Sequence, residues 1–120
     1  MVSSSMEARD KTILCKMFQY CEEIQTTHQH FGNSEQLFFD REGGFIYRNS
    51  IAMPILQIGE LAKNLSREFL CAHPAVPWQA IMRMRDFFAH HYGSVDYHYV
   101  WETAHSDIDA LKAFLTPFVR

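Results

Sequence analysis

The spacing of apolar residues constrains this chain more than any other feature. Steps of three and four recur along most of its length, and no alternation of apolar and polar residues lasts long enough for a strand. Between Glu7 and about His30 the apolar positions are Ile13, Leu14, Met17, Phe18, Cys21 and Ile24, one stripe on a helix. Gly32 and Asn33 stop that helix, because glycine tolerates the left-handed conformation that follows a helix end. Ser34 is placed to cap a short second helix, SEQLFFD, and Asp40 to cap a long third one carrying Ile51, Ile55, Ile58, Leu61 and Leu65. Gly43 and Gly44 read as a flexible start to it. Pro54 is expected to kink it, since its nitrogen has no hydrogen to donate.

Ser66 to Ala72 either continues the third helix or forms a short one. His73-Pro74-Ala75-Val76-Pro77 is the sharpest break in the chain. Pro77 suits the first position of the next helix, WQAIMRMRDFFAHHY, which ends at Gly93. Ser94 or Asp96 can cap the last stretch, YHYVWETAHSDIDALKAFLTPFVR, with an interruption expected near Ser106, where S-D-I-D resembles a capping signal. The pattern predicts an all-α, up-and-down bundle of four or five helices in a single domain over residues 1–120, with about the first eight as a flexible tail.

A chain of 120 residues with 48% apolar side chains can bury one real core. Its net charge of −3 argues against broad adhesion to nucleic acid or anionic membrane, while leaving room for a local pocket that engages one phosphate. No apolar run follows a charged start at the N-terminus and no window approaches a membrane span, so neither a signal peptide nor a membrane is expected. Cys15, Cys21 and Cys71 are odd in number and lack C-x-x-C spacing. That points to a reducing cytoplasm rather than a disulfide framework or zinc knuckle.

Against this background RDFFAHHY, Arg85 to Tyr92, stands out. It sets arginine, aspartate, two histidines and tyrosine into an apolar segment at a helix end. A helix turns about 100° per residue, so Arg85 and Tyr92 fall on nearly one face while Arg85 and His90 are about 140° apart. A reaching arginine, an opening of the helix before Gly93 or a second subunit could each bring them together. Spacing does not choose His90 over His91. Arginine and histidine without a nearby nucleophilic serine or cysteine suit phosphate chemistry: histidine exchanges a proton near neutral pH, and the guanidinium matches phosphate oxygens. The same residues also suit a capping and salt-bridge network with no chemistry.

Other features carry less. Seven histidines invite a metal, but His28 and His30 are two apart, and Gly93 separates His91 from His98 and His105. H-E-x-x-H and paired E-x-x-H motifs are lacking, so no metal is expected. Glu60 is either an ordinary surface acid or the partner of an arginine across the bundle. Tyr97, Tyr99 and Trp101 read as core or interface.

The residues also resemble a known family. Arg85-x-x-x-x-His90-x-Tyr92 is similar to the R-x-x-x-x-H-x-Y signature of the HepT-like toxins of the HEPN superfamily. Ile58-Gly59-Glu60-Leu61-Ala62 resembles the family's I-G-E-A segment. Pro77-Trp78, Ile81 and Met84-Arg85-Asp86 resemble its P-W-x-x-I-x-x-M-R-[ND] run, and Val100-Trp101 resembles its V-W. The likeness runs from about Lys11 to the C-terminus. It implies a HEPN helical bundle that forms a homodimer with the two motifs facing a shared cleft. It also implies a toxin of a toxin–antitoxin module that cleaves RNA without a metal or other cofactor. By the same resemblance, His90 is the general acid and base, Arg85 the phosphate-binding group, and Asp86 and His91 supporting residues. Tyr92 is then the residue to which a cognate MNT-type nucleotidyltransferase antitoxin adds AMP. The alternative is a non-catalytic subunit that binds a nucleotide or substrate for a separate nucleotidyltransferase.

Overall fold

The computed structural model describes residues 7–90 and 95–119, the side chains of 87–90 excepted. The described residues form helices and turns without a strand: α1 (Ala8–His30), α2 (Glu35–Phe38), α3 (Gly44–Lys63), α4 (Arg67–Ala72), α5 (Trp78–His90), α6 (Tyr97–Glu102) and α7 (Ile108–Val119). A π-helical turn, Thr103–Asp107, joins α6 to α7. Four long rods make the bundle: α1, α3, α5 and the α6–α7 pair. In it α1 packs on α3 and α7, and α3 lies between α1 and α5. The all-α bundle read from the spacing is therefore the observed fold. The tail expected over about the first eight residues lies outside the described residues except for Glu7 and Ala8, where α1 begins.

The helix ends follow local chemistry. The predicted stripe of α1 is the buried one, with Leu14, Met17, Cys21 and Ile24 wholly covered. Gly32 (φ 65°) and Asn33 (φ 56°) both take the left-handed conformation after it. The Ser34 hydroxyl accepts from the Leu37 amide at 3.1 Å and caps α2. Asp40 Oδ2 accepts from the Gly43 amide at 2.8 Å, and α3 starts one residue later. Gly44 is more than a flexible start. It is buried, and a Cβ there would stand 2.8 Å from the Phe38 carbonyl oxygen, so α2 can pack this closely only on a glycine. α3 runs unbroken through the buried Pro54.

Ser66 starts the separate short helix α4, its hydroxyl accepting from Phe69 N at 3.1 Å. Ser66 is itself held by the buried Asp10 of α1, whose carboxylate accepts from the Ser66 amide (2.8 Å) and hydroxyl (2.6 Å). The proline-rich break is stitched to α5 by Trp78 Nε1, which donates to the His73 carbonyl at 3.0 Å. Asp96 caps α6, accepting from the amides of His98 (3.0 Å) and Tyr99 (3.4 Å); Ser94 lies outside the described residues.

The interruption expected near Ser106 is a widening of one helix rather than a new cap. Val100, Ala104, Ile108, Leu111 and Leu115, in steps of three and four on either side of the π turn, are all buried. Of the aromatic run, Trp101 packs against Phe38 and Tyr47, and Tyr97 lies under the Arg48 guanidinium. Tyr99, read as core or interface, is not in the core of the single chain and is 50% exposed.

Candidate functional site

Arg85 and Asp86 sit on α5 where it packs against α3. Gly59 makes that approach possible: a Cβ there would stand 2.6 Å from the Arg85 Cβ and 2.9 Å from the Ile81 carbonyl oxygen. Neither neighbour is the far end of a flexible side chain, so only glycine fits. The next residue of α3, Glu60, places Oε1 2.5 Å from Arg85 Nε. Of the two readings of Glu60, the partner of an arginine across the bundle is the observed one.

One turn further along α3, Lys63 pairs with Asp86 Oδ1, and Arg85 Nη1 lies 3.4 Å from the same oxygen. Four charges of alternating sign thus run across the α3–α5 seam: Glu60, Arg85, Asp86, Lys63. The hydrogen bond from Lys63, and then that from Arg85, hold the Asp86 carboxyl below its ordinary range, so it is an anion at neutral pH. Arg85 remains about a third exposed, fixed by Glu60 on one side and open to solvent on the other.

The predicted residues are only partly brought together here. Arg85 and Asp86 share one ion-pair network. α5 stays helical through His90, so the helix does not open between Arg85 and His90, and their backbone positions keep the phase difference of about 140°. The His90 side chain, and all of His91 and Tyr92, lie outside what is described. Lys63 was missed by sequence reasoning. Its signal was the G-E-x-x-K spacing, which puts Glu60 and Lys63 one turn apart on the same side of α3.

A second polar cluster is buried where α1, α3 and the π turn meet. His28 Nδ1 and the Tyr47 hydroxyl are 2.5 Å apart, and the ring of His105 lies on that of His28 with centroids 4.0 Å apart. His105 Nδ1 donates to the Trp101 carbonyl at 2.8 Å, and its Nε2 is 2.6 Å from Asn33 Oδ1. Burial, and then the neighbouring His105, push His28 down to about 4; burial pushes the Tyr47 phenol up to about 12. His28 Nε2 is buried with no hydrogen-bond partner. His28 therefore works as a neutral core ring, and His30 points elsewhere, its ring against Phe31. Among the described residues no three His, Cys, Asp or Glu side chains converge as metal ligands would.

An apolar groove of about 310 Å³ opens between α5 and α7, lined by Ile58, Ile81, Met84, Leu111 and Phe114, with Tyr99 and Asp107 among its polar residues. Arg85 and Asp86 are not in its wall. Among the described residues no helix is long and apolar enough to cross a membrane.

The profile of the family described as "Ribonuclease HepT-like" matches residues 17–118. The chain is 44% identical over 55 residues to a protein of Thermococcus cleftensis named "Probable ribonuclease HepT", covering 46% of this chain and 50% of that one. It is 32% identical over 93 residues to a protein of Caldanaerobacter subterraneus subsp. tengcongensis named as a candidate RNase, covering 70% of this chain and 83% of the relative. A similarly named protein of Methanocaldococcus jannaschii is 42% identical over 45 residues, 38% of this chain and 37% of its own length. The similarity thus spans half of the first relative and most of the second. No solved structure matches the chain significantly.

Proposed function

Because this chain belongs to the ribonuclease HepT-like family, we propose that it is a metal-independent endoribonuclease, the toxin of a toxin–antitoxin module, acting as a homodimer on RNA in the cytoplasm. The observation that carries this reading is the fixed guanidinium of Arg85. Glu60 holds its Nε and the close crossing at Gly59 holds its backbone, so the rest of the fork is aimed before any ligand arrives. A preorganised cation of this kind stabilises charge that develops on phosphate oxygens, at little reorganisation cost during reaction.

In the reaction we assign, His90 takes the proton from an RNA 2′-hydroxyl. That oxygen attacks the adjacent phosphorus and the bond to the 5′-oxygen breaks. A proton returns to the leaving oxygen, giving a 2′,3′-cyclic phosphate and a 5′-hydroxyl. Arg85 holds the non-bridging oxygens as their charge grows, and Asp86, with His91, orients the site. Each proton has a protein donor or acceptor, so the route needs no metal. The backbone of α5 sets positions 85 and 90 about 140° apart, and in this reading a second copy of the chain across a shared cleft brings the two residues together. Tyr92, two residues beyond His90, is the acceptor of AMP from an MNT-type nucleotidyltransferase antitoxin; the added phosphate would pair with Arg85 and cover the site.

The test uses unmodified protein, verified by intact mass, incubated with total tRNA and an mRNA in EDTA, beside Arg85→Ala and His90→Ala. Cleavage to cyclic-phosphate ends by the wild type, lost in both variants with the oligomer intact, is the expected result. A folded dimer that cleaves nothing, yet binds an ATP analogue equally with and without His90, would overturn it in favour of a nucleotide-binding subunit.

A further inference from the structure

The ion pair between Lys63 and Asp86 has no evident value to the fold. Both side chains are partly exposed, at 33% and 46%, and exposed pairs contribute little to stability. Its position is more informative. Lys63 Nζ and Arg85 Nη1 meet the same carboxylate oxygen, Asp86 Oδ1, so the two cations lie within about 6 Å of each other. Charge-assisted hydrogen bonds from nitrogen to phosphate oxygen are about 2.7–2.9 Å long. Two donors at this separation can therefore grip two oxygens of one phosphodiester.

The local charge leads to the same residue. Glu60 and Asp86 both adjoin Arg85, and the chain as a whole carries −3. With Lys63 the four charges of the seam cancel. Without it they sum to a net negative charge at the place where a phosphate must enter. Lys63 is the last residue of α3, where the helix dipole also favours a cation. Its ammonium has three donors, so bonding to one carboxylate oxygen leaves hydrogens for a second acceptor.

We propose that Lys63 is a second phosphate-binding cation of the site, held beside Arg85 by Asp86 so that both grip the same RNA phosphodiester. This rests on the ribonuclease reading above and adds to it a substrate-binding residue outside the Arg85–Tyr92 segment. Asp86 thereby acquires a defined role, spacing the two cations when no phosphate is bound.

The experiment measures binding of a labelled single-stranded RNA across a salt series, in a His90→Ala background that does not turn it over, with cleavage by the otherwise native chain as a second readout. Lys63→Met should weaken binding roughly tenfold at low salt, the loss of one charge-assisted contact. It should also lower the salt slope by about 0.7, one phosphate contact on a single strand. Lys63→Arg should retain binding. The decisive comparison is Lys63→Met made on top of Asp86→Asn. If Lys63 grips phosphate, its loss still weakens binding there, by a smaller factor because Asp86 no longer holds it in place; if it merely neutralises Asp86, its loss costs nothing there and the proposal falls. Unchanged binding and slope in Lys63→Met, from a parent that does bind and cleave, overturns this inference alone. A wild-type chain that neither binds nor cleaves RNA overturns the ribonuclease reading, and this inference with it.

Discussion

Gly59 of α3 faces Arg85 of α5 so closely that a single added methyl would lie 2.6 Å from the arginine Cβ. This contact sets the distance between the two helices that carry the candidate site. Glycine within a helix costs roughly 1 kcal/mol relative to alanine, and here the lost propensity is exchanged for a close crossing.

Gly59→Ala should accordingly destabilise the fold despite alanine's better helix propensity. The added carbon meets the Ile81 carbonyl oxygen as well as Arg85 Cβ, so α5 has to move outward. Overpacking of this kind costs about 1–3 kcal/mol. Urea denaturation measures it, and a midpoint equal to or above that of the wild type would show that the two helices cross with room to spare.

Glu60→Met, similar in length but without an acceptor oxygen, tests orientation apart from stability. The Glu60–Arg85 pair is partly exposed, so its loss should change stability by less than about 1 kcal/mol. Arg85 would lose its Nε anchor, and a misplaced catalytic group costs up to about a hundredfold in rate. RNA cleavage should therefore fall steeply while the thermal midpoint barely moves. Equal activity in the two proteins would mean that Arg85 needs no partner on α3.

His28 makes an acid-limb prediction. Its folded value is about 4, against an ordinary value of 6.5, because burial and the adjacent His105 disfavour the charged ring. Between those two pH values the unfolded chain binds a proton that the folded chain refuses. The contribution is therefore complete above about pH 6.5 and is lost as the pH falls toward 4, by on the order of 3 kcal/mol. His28→Met should remove this slope from stability measured across that range, whatever it does to stability at neutral pH. An unchanged slope would count against the buried neutral ring.

Asp10→Ala should cost about 1–3 kcal/mol, since the buried carboxylate accepts from both the amide and the hydroxyl of Ser66. Asp10→Asn should be milder, because its amide oxygen still accepts from the Ser66 amide and its nitrogen can donate to the hydroxyl. Thermal melts of the two variants give the order, and a wild-type-like Asp10→Ala would mean that this tie between α1 and α4 adds nothing to stability.

The chain's helices were legible because their causes are local. The stripe of α1, the caps at Ser34 and Asp96 and the break at Pro74–Pro77 all depend on neighbours a few residues away, as does the left-handed exit at Gly32 and Asn33. The residue types of the Arg85–Tyr92 segment suit phosphate chemistry and a salt-bridge network alike, and their letters do not choose between the two. The π turn was less legible: S-D-I-D reads as a cap, while the chain instead continues from α6 into α7 through a π-helical turn.

What only the tertiary structure decided is which residues meet. Nothing local to Arg85 says that Gly59 and Glu60, some twenty-five residues earlier, will lie against it, or that Lys63 will share an oxygen of Asp86. Those contacts depend on the rotational phase and separation of α3 and α5, which the packing of their apolar faces sets. The burial of His28 beneath Tyr47 and His105 likewise requires three elements to arrive together. Sequence by itself determined where helices start and stop and which side chains they carry. Packing decided how closely the helices cross, and with that which charges stand beside Arg85.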